Sequence, residues 1–278
     1  MFRSRGKLAA LGALFAALAT LPAPAAPEAP TQVDVKLIIA SDMSHSIDDV
    51  EAKTEREGIA DVFSDPEVIR TIENGPFGRI AVMMLDWAGY QDQRVMIDWT
   101  IIHDKSSANA FSAKVRLLPR PSGLRTSISS ALERAFEILN QSDREIVATR
   151  KVVDVSGDGP NNDGVSLEHV HETTAKNGIV VNGLPIMDTA SDSYFPDLDK
   201  YYDACVVSGA GAFLIVVKSY KDFGSAMRRK LVREISLDAP RNPLLKTIAS
   251  VTPQGGRQAP KIYPGGCDKY GGWGWGGG

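Results

Sequence analysis

An apolar run that ends on a cluster of oxygen-bearing side chains constrains this chain more than any other feature. Val33, Val35, Leu37 and Ile39 alternate and merge into the continuous run Leu37-Ile38-Ile39-Ala40. Such a run suits a strand covered on both faces of a sheet, where successive side chains on opposite faces are all buried. It passes directly into Asp42-Met43-Ser44-His45-Ser46, where every second side chain ends in oxygen.

Further strands are predicted at 79–85, 94–102, 152–155, 179–186 and 212–217. Helix patterns fall between them at 48–74 (with a break near Pro66), 106–117, 127–140, 166–176 and 220–235. In the clearest helix, Ile128, Leu132, Ala135, Phe136 and Leu139 share one face. Strands alternating with helices predict an α/β fold with helices on both faces of a mostly parallel sheet of about six strands. The second and third strands are joined by the short link 86–93, which has no room for a crossover helix. That pair is therefore expected to be antiparallel, at one edge.

Hydrophobic residues make up 43% of the 278, enough for a buried core and too many for a disordered chain. The 31 basic and 34 acidic residues give a formal charge of -3, so there is no positive field to draw in nucleic acid. Two cysteines and four histidines without ligand spacing argue against a zinc module.

Residues 1–25 read as a cleaved secretory signal. Arg3, Arg5 and Lys7 precede an uncharged Ala/Leu run at 8–21, and Ala23-Pro24-Ala25 supplies the small-residue cleavage pattern. The run falls short of the roughly 20 residues a membrane-spanning helix needs. The expected location is secreted or periplasmic. A Pro-rich linker at 26–32 leads into a domain at 33–236, and a Pro/Gly-rich tail at 237–278 ends in a Gly/Trp run. An exported chain with two thiols tends to pair them, which predicts a Cys205–Cys267 disulfide tying the tail to the domain. The alternative is a buried Cys205 and a reactive Cys267. Lying outside the ligand set discussed next, the bridge is not expected to bear on metal binding.

In open α/β sheets, ligands bind beyond the carboxyl ends of the strands. Three places there carry oxygen ligands: Asp42, Ser44 and Ser46 after the first strand, Thr126 at the start of a helix, and Asp158 in Ser156-Gly157-Asp158-Gly159 after the fourth strand. Hard oxygen donors suit Mg²⁺, Ca²⁺ or Mn²⁺, and two carboxylates leave such an ion seeking a further anion. The order of D-x-S-x-S, a lone Thr and an Asp-Gly resembles a von Willebrand factor A domain with a metal-ion-dependent adhesion site. The segment Val153-Asp154-Val155-Ser156-Gly157-Asp158-Gly159-Pro160-Asn161-Asn162 further resembles an uncharacterised exported bacterial family of such domains.

The resemblance implies that Ser44, Ser46 and Thr126 supply hydroxyl ligands, that Asp42 and Asp158 act largely through bound water, and that a partner carboxylate completes the shell. It implies a protein-binding module whose partner offers an acidic residue, and no catalytic residues. Arg125, directly before the Thr, departs from the small residue found in many relatives and brings a positive charge to the rim. His45 is expected at the rim, Asp86 as an edge-loop carboxylate, Asp154 with a hydrogen-bond partner, and Asn161 and Asn162 as loop-shaping residues. The competing readings are a Mg²⁺-dependent hydrolase with His45 or Asp86 as base, and a small-ligand carrier.

Overall fold

The computed structural model describes residues 29–120, 122–191, 194–236 and 266–267. The signal expected at 1–25, residues 26–28 of the linker and nearly all of the tail lie outside these. β1 (Thr31–Asp42) begins two residues before Val33 and is buried from Val33 to Asp42. β2 (Ile80–Trp87) is buried throughout, β3 (Gln93–Ile102) is half exposed, and β4 (Ile146–Gly157) and β5 (Ile179–Pro185) complete the sheet. The order is β3-β2-β1-β4-β5, with β2–β3 antiparallel and the other neighbours parallel. β3 is an edge strand, which is why it keeps one face in water.

Alternation along β1 sorts the core into two layers. Val35, Leu37 and Ile39 pack with α1 (Asp49–Ser64), α2 (Pro66–Glu73), α3 (Lys105–Arg116) and α7 (Phe223–Ser236); Ile38 and Ala40 pack with α4 (Ile128–Gln141), α5 (Leu167–Asn177) and α6 (Leu198–Tyr201). The break between α1 and α2 follows from local chemistry. Asp65 accepts the Glu67 N–H at 2.7 Å and Pro66 occupies the first turn, where its missing N–H costs nothing. α1 and α7 meet at Gly58 and Gly224, where a Cβ on Gly58 would lie 3.0 Å from the Gly224 nitrogen.

Two features depart from the sequence reading. The sheet has five strands among the described residues, not six, because the 212–217 segment makes only isolated bridges to β5 at Gly183–Leu214 and Ile186–Val217. The Gly183 N–H donates to the Phe213 carbonyl and the Ile215 N–H to the Gly183 carbonyl, but the next donor would be residue 185, a proline with no N–H. The ladder is interrupted there before the Val217 and Met187 N–H groups resume it. The Phe213 N–H also donates to the Asn182 side chain. The second departure is the unforeseen α6, which continues into a wide π-type turn, Tyr202–Val206. Cys205 in that turn is disulfide-bonded to Cys267, with a Cα–Cα distance of 5.5 Å. No helix among the described residues is long and apolar enough to cross a membrane.

Candidate metal centre

The strand order builds this site. β1 is flanked by β2 on one side and β4 on the other, so successive strands are added in opposite directions from β1 and a crevice opens beyond the carboxyl ends. Ser41 pairs with Ser156 across the β1–β4 ladder, placing the loops that follow side by side. Asp42 folds its Oδ1 back onto the Ser44 N–H at 2.8 Å, a local turn that starts the loop. The Ser44 and Ser46 hydroxyl oxygens are 2.9 Å apart, and Ser46 Oγ donates to Asp158 Oδ1 at 2.7 Å. Asp48 then caps α1 in a capping box with Glu51, and the Arg120 guanidinium donates to the Ile47 carbonyl.

Thr126 arrives from a third loop. Its N–H donates to Asn162 Oδ1 at 2.9 Å, and its carbonyl accepts the Asn162 N–H at 2.8 Å, so the segment after Asp158 holds Thr126 from both sides. The α4 cap is Ser127, whose Oγ accepts from the Ser130 N–H; the Thr126 hydroxyl is not spent on capping. Asp42, Ser44, Thr126 and Asp158 are buried, while Ser46, His45 and Arg125 are exposed. Hydrogen bonds thus join Asp42, Ser44, Ser46 and Asp158, and the Thr126 backbone is tied to the loop after Asp158, with Ser46 and His45 facing solvent.

The charges that weigh on Asp42 are negative. Burial, then the charge of Asp158, pushes the Asp42 carboxyl well above the usual range, and Glu55 adds to it. Glu55 is itself buried on α1 and pushed up to about 7, chiefly by burial, although the Ser156 hydroxyl donates to it at 2.6 Å. Asp42 Oδ2 is buried and accepts no hydrogen bond. The backbone beside it is equally tight, since a Cβ on Gly157 would lie 2.9 Å from Asp42 Oδ2 and 2.8 Å from the Tyr202 hydroxyl. Among the described residues no three His, Cys, Asp or Glu side chains are grouped to hold an ion, so hydroxyls have to supply part of any shell here. Buried acid, an unused carboxylate oxygen and clustered hydroxyls are a donor set that fits a hard divalent cation.

A family model described as "Protein of unknown function (DUF1194)" matches residues 32–239. The chain belongs to the DUF1194 family. No curated protein matches it. Among solved structures, the DUF1194 chain resembles the pilus adhesin SpaC from Lactobacillus rhamnosus GG, at 13% identity over 75% of this chain and 32% of that one, with a TM-score of 0.55. It also resembles a von Willebrand factor type A protein from Catenulispora acidiphila (17%, 74% and 43%, 0.52) and proximal thread matrix protein 1 from the mussel byssus (17%, 73% and 46%, 0.50). The fold is that of a von Willebrand factor A domain. The chain spans less than half the length of each of these solved proteins.

Several residues of this DUF1194 site escaped the sequence reading. Glu55 and Arg56 sit in α1 among Ala52, Ile59, Ala60 and Phe63, all buried; two charged residues on the apolar face of a helix are the signal that marks them. Arg56 is ion-paired with Asp86, which is buried and not the edge-loop carboxylate expected from its place at a strand end. Tyr202 carried no sequence signal beyond an aromatic pair, yet its buried hydroxyl lies against Gly157, and burial, then the charges of Asp42 and Asp158, push it up.

Proposed function

We propose that this chain is a non-enzymatic, metal-dependent binding module that works outside the cytoplasm, exported by the signal at 1–25 and folded as one domain over 33–236. In this reading Ser44, Ser46 and Thr126 offer hydroxyls to Mg²⁺, with Ca²⁺ or Mn²⁺ taking the same donors, and Asp42 and Asp158 hold its waters. A carboxylate from a protein or peptide partner completes the shell. The supporting observation is Asp42: its Oδ2 is buried without a hydrogen bond, and its charged neighbours Asp158 and Glu55 are both negative. Burying like charges together is costly unless a cation joins them. With hydroxyls and waters filling most of the shell, that cation keeps a coordination position open for an acidic ligand.

The hydrolase alternative finds less support. Asp86 is engaged by Arg56, and His45 is exposed at the rim. Titration calorimetry with Mg²⁺ tests the proposal. The wild type is expected to bind one ion, and Asp158→Ala to lose both ion binding and EDTA-reversible capture of an acidic partner while staying folded, because the lost group lies on a loop. A folded Asp158→Ala protein that still binds Mg²⁺ would sink the ligand assignment. Turnover of generic phosphate or acyl esters would return the hydrolase reading.

A further inference from the structure

The Cys205–Cys267 disulfide lies at one end of a hydrogen-bond chain that reaches the candidate metal centre. Tyr201 is fully buried. Its hydroxyl donates to the Cys267 carbonyl at 3.1 Å and accepts the Asn161 N–H at 3.1 Å. Asn161 is buried in the loop after Asp158, and its Oδ1 accepts from the Ser129 N–H at 3.1 Å and the Ser129 hydroxyl at 3.3 Å. The next residue, Asn162, makes the two-way pairing with Thr126. One buried phenol thus links residue 267 to the loop that carries Asp158 and secures Thr126.

The direction of each bond gives the link its logic. A phenol has one proton to donate, so giving it to the Cys267 carbonyl leaves the oxygen lone pairs facing Asn161. Cys267 is present as acceptor because the disulfide holds it beside Cys205, four residues beyond Tyr201 in the adjoining turn. Remove the bridge, and the hydroxyl loses the carbonyl that fixes its rotation. Remove the hydroxyl, and the buried Asn161 N–H is left without its partner, a cost that a mobile loop relieves by shifting.

We infer that Tyr201 is a positioning residue for the metal site and that the Cys205–Cys267 disulfide is what keeps its hydroxyl aimed. The inference rests on the reading of Asp42, Ser44, Ser46, Thr126 and Asp158 as metal ligands. From sequence alone the bridge stands apart from those ligands; the hydrogen bonds through Tyr201 join the two. Groups that orient ligands typically change metal affinity by about 10–100-fold when lost. Here the effect passes through backbone, which places it near the lower end, about tenfold.

The test is Mg²⁺ titration calorimetry on the oxidised full chain, the Tyr201→Phe chain and the Cys205→Ser/Cys267→Ser chain, with urea unfolding of each in EDTA. Each variant is expected to bind Mg²⁺ about tenfold more weakly than the wild type. The combined triple variant should be no weaker than either, because both changes break the same chain of bonds. Leu139→Ala, which loosens the same core layer at the far end of α4, should lower the urea midpoint with Mg²⁺ affinity unchanged. If the disulfide-free chain fails to fold, Tyr201→Phe alone decides. Wild-type affinity in folded Tyr201→Phe overturns the inference and leaves the ligand assignment standing. A wild type that binds no divalent ion brings down the assignment and the inference together.

Discussion

Two clusters of buried acid gather around β4, one inside the strand and one just beyond its end, and they are neutralised differently. Asp154, inside β4, lies with Glu234 of α7 around Lys230, all three buried; Lys230 pairs with Asp154 and reaches Glu234 at 3.1 Å. Asn182 donates to Glu234 at 3.0 Å, and Arg150 donates to the Glu234 carbonyl at 2.6 Å. Just beyond the end of β4, Asp158 meets Asp42 and Glu55, and the charges weighing on Asp42 are negative. The first cluster carries its own cation and clamps α7 to the sheet. The second spends hydroxyls and backbone on ordering carboxylates that a side-chain cation does not balance at Asp42. Buried acid with a resident lysine is a structural device, whereas the buried acid arranged around hydroxyls at the end of the sheet is the site proposed above for an ion.

That contrast is broken most directly by removing the lysine. Lys230→Met leaves Asp154 and Glu234 buried without their counter-charge, and the expected loss is about 3–5 kcal/mol in urea unfolding. A loss under about 1 kcal/mol would mean that the clamp contributes little and that the two clusters differ less than their geometry implies. At the other cluster the expected sign is opposite and conditional. Mg²⁺ at about a hundred times its Kd should stabilise the wild type by ~2.7 kcal/mol and leave Asp158→Ala unmoved.

The pH dependence reports on both clusters at once. Burial, then the charge of Glu234, pushes the Asp154 carboxyl up from 3.8 to about 7. A carboxylate raised on folding contributes stability that is fully present below the unfolded pKa and is lost as pH rises through the folded one. The metal-free chain should therefore lose stability between about pH 4 and 7, on the order of 2 kcal/mol or more, with Glu55, also pushed up to about 7, contributing in the same window. Asp154→Asn should flatten that slope in pH-resolved urea unfolding; an unchanged slope would remove Asp154 as its source. The smallest effect concerns neighbours in sequence. Ser127→Ala should cost about 1 kcal/mol as a lost helix cap, with Mg²⁺ affinity kept. Thr126→Ala should weaken Mg²⁺ binding with stability within about 0.5 kcal/mol. An exchange of these outcomes would make Thr126 the cap and Ser127 the ligand.

Periodicity in the sequence determined the element types and their order, because side-chain alternation and helical spacing are local properties of the chain. The apolar run of β1, the break at Pro66 and the antiparallel β2–β3 pair were legible in this way, as was the placement of Asp42, Thr126 and Asp158 just past their strands or before their helix. Local pattern could not say which loops would meet. That Asp42 lies beside Asp158, 116 residues later, follows from β1 pairing with β4. Tertiary contacts likewise assigned the cap to Ser127, gave Asp86 to Arg56, and interrupted the sixth strand at a proline with no donor to offer. They also laid Tyr201 between Cys267 and Asn161. Each of these outcomes depends on which buried polar group finds a partner across the fold, and a buried donor or acceptor is satisfied by geometry that distant segments create together.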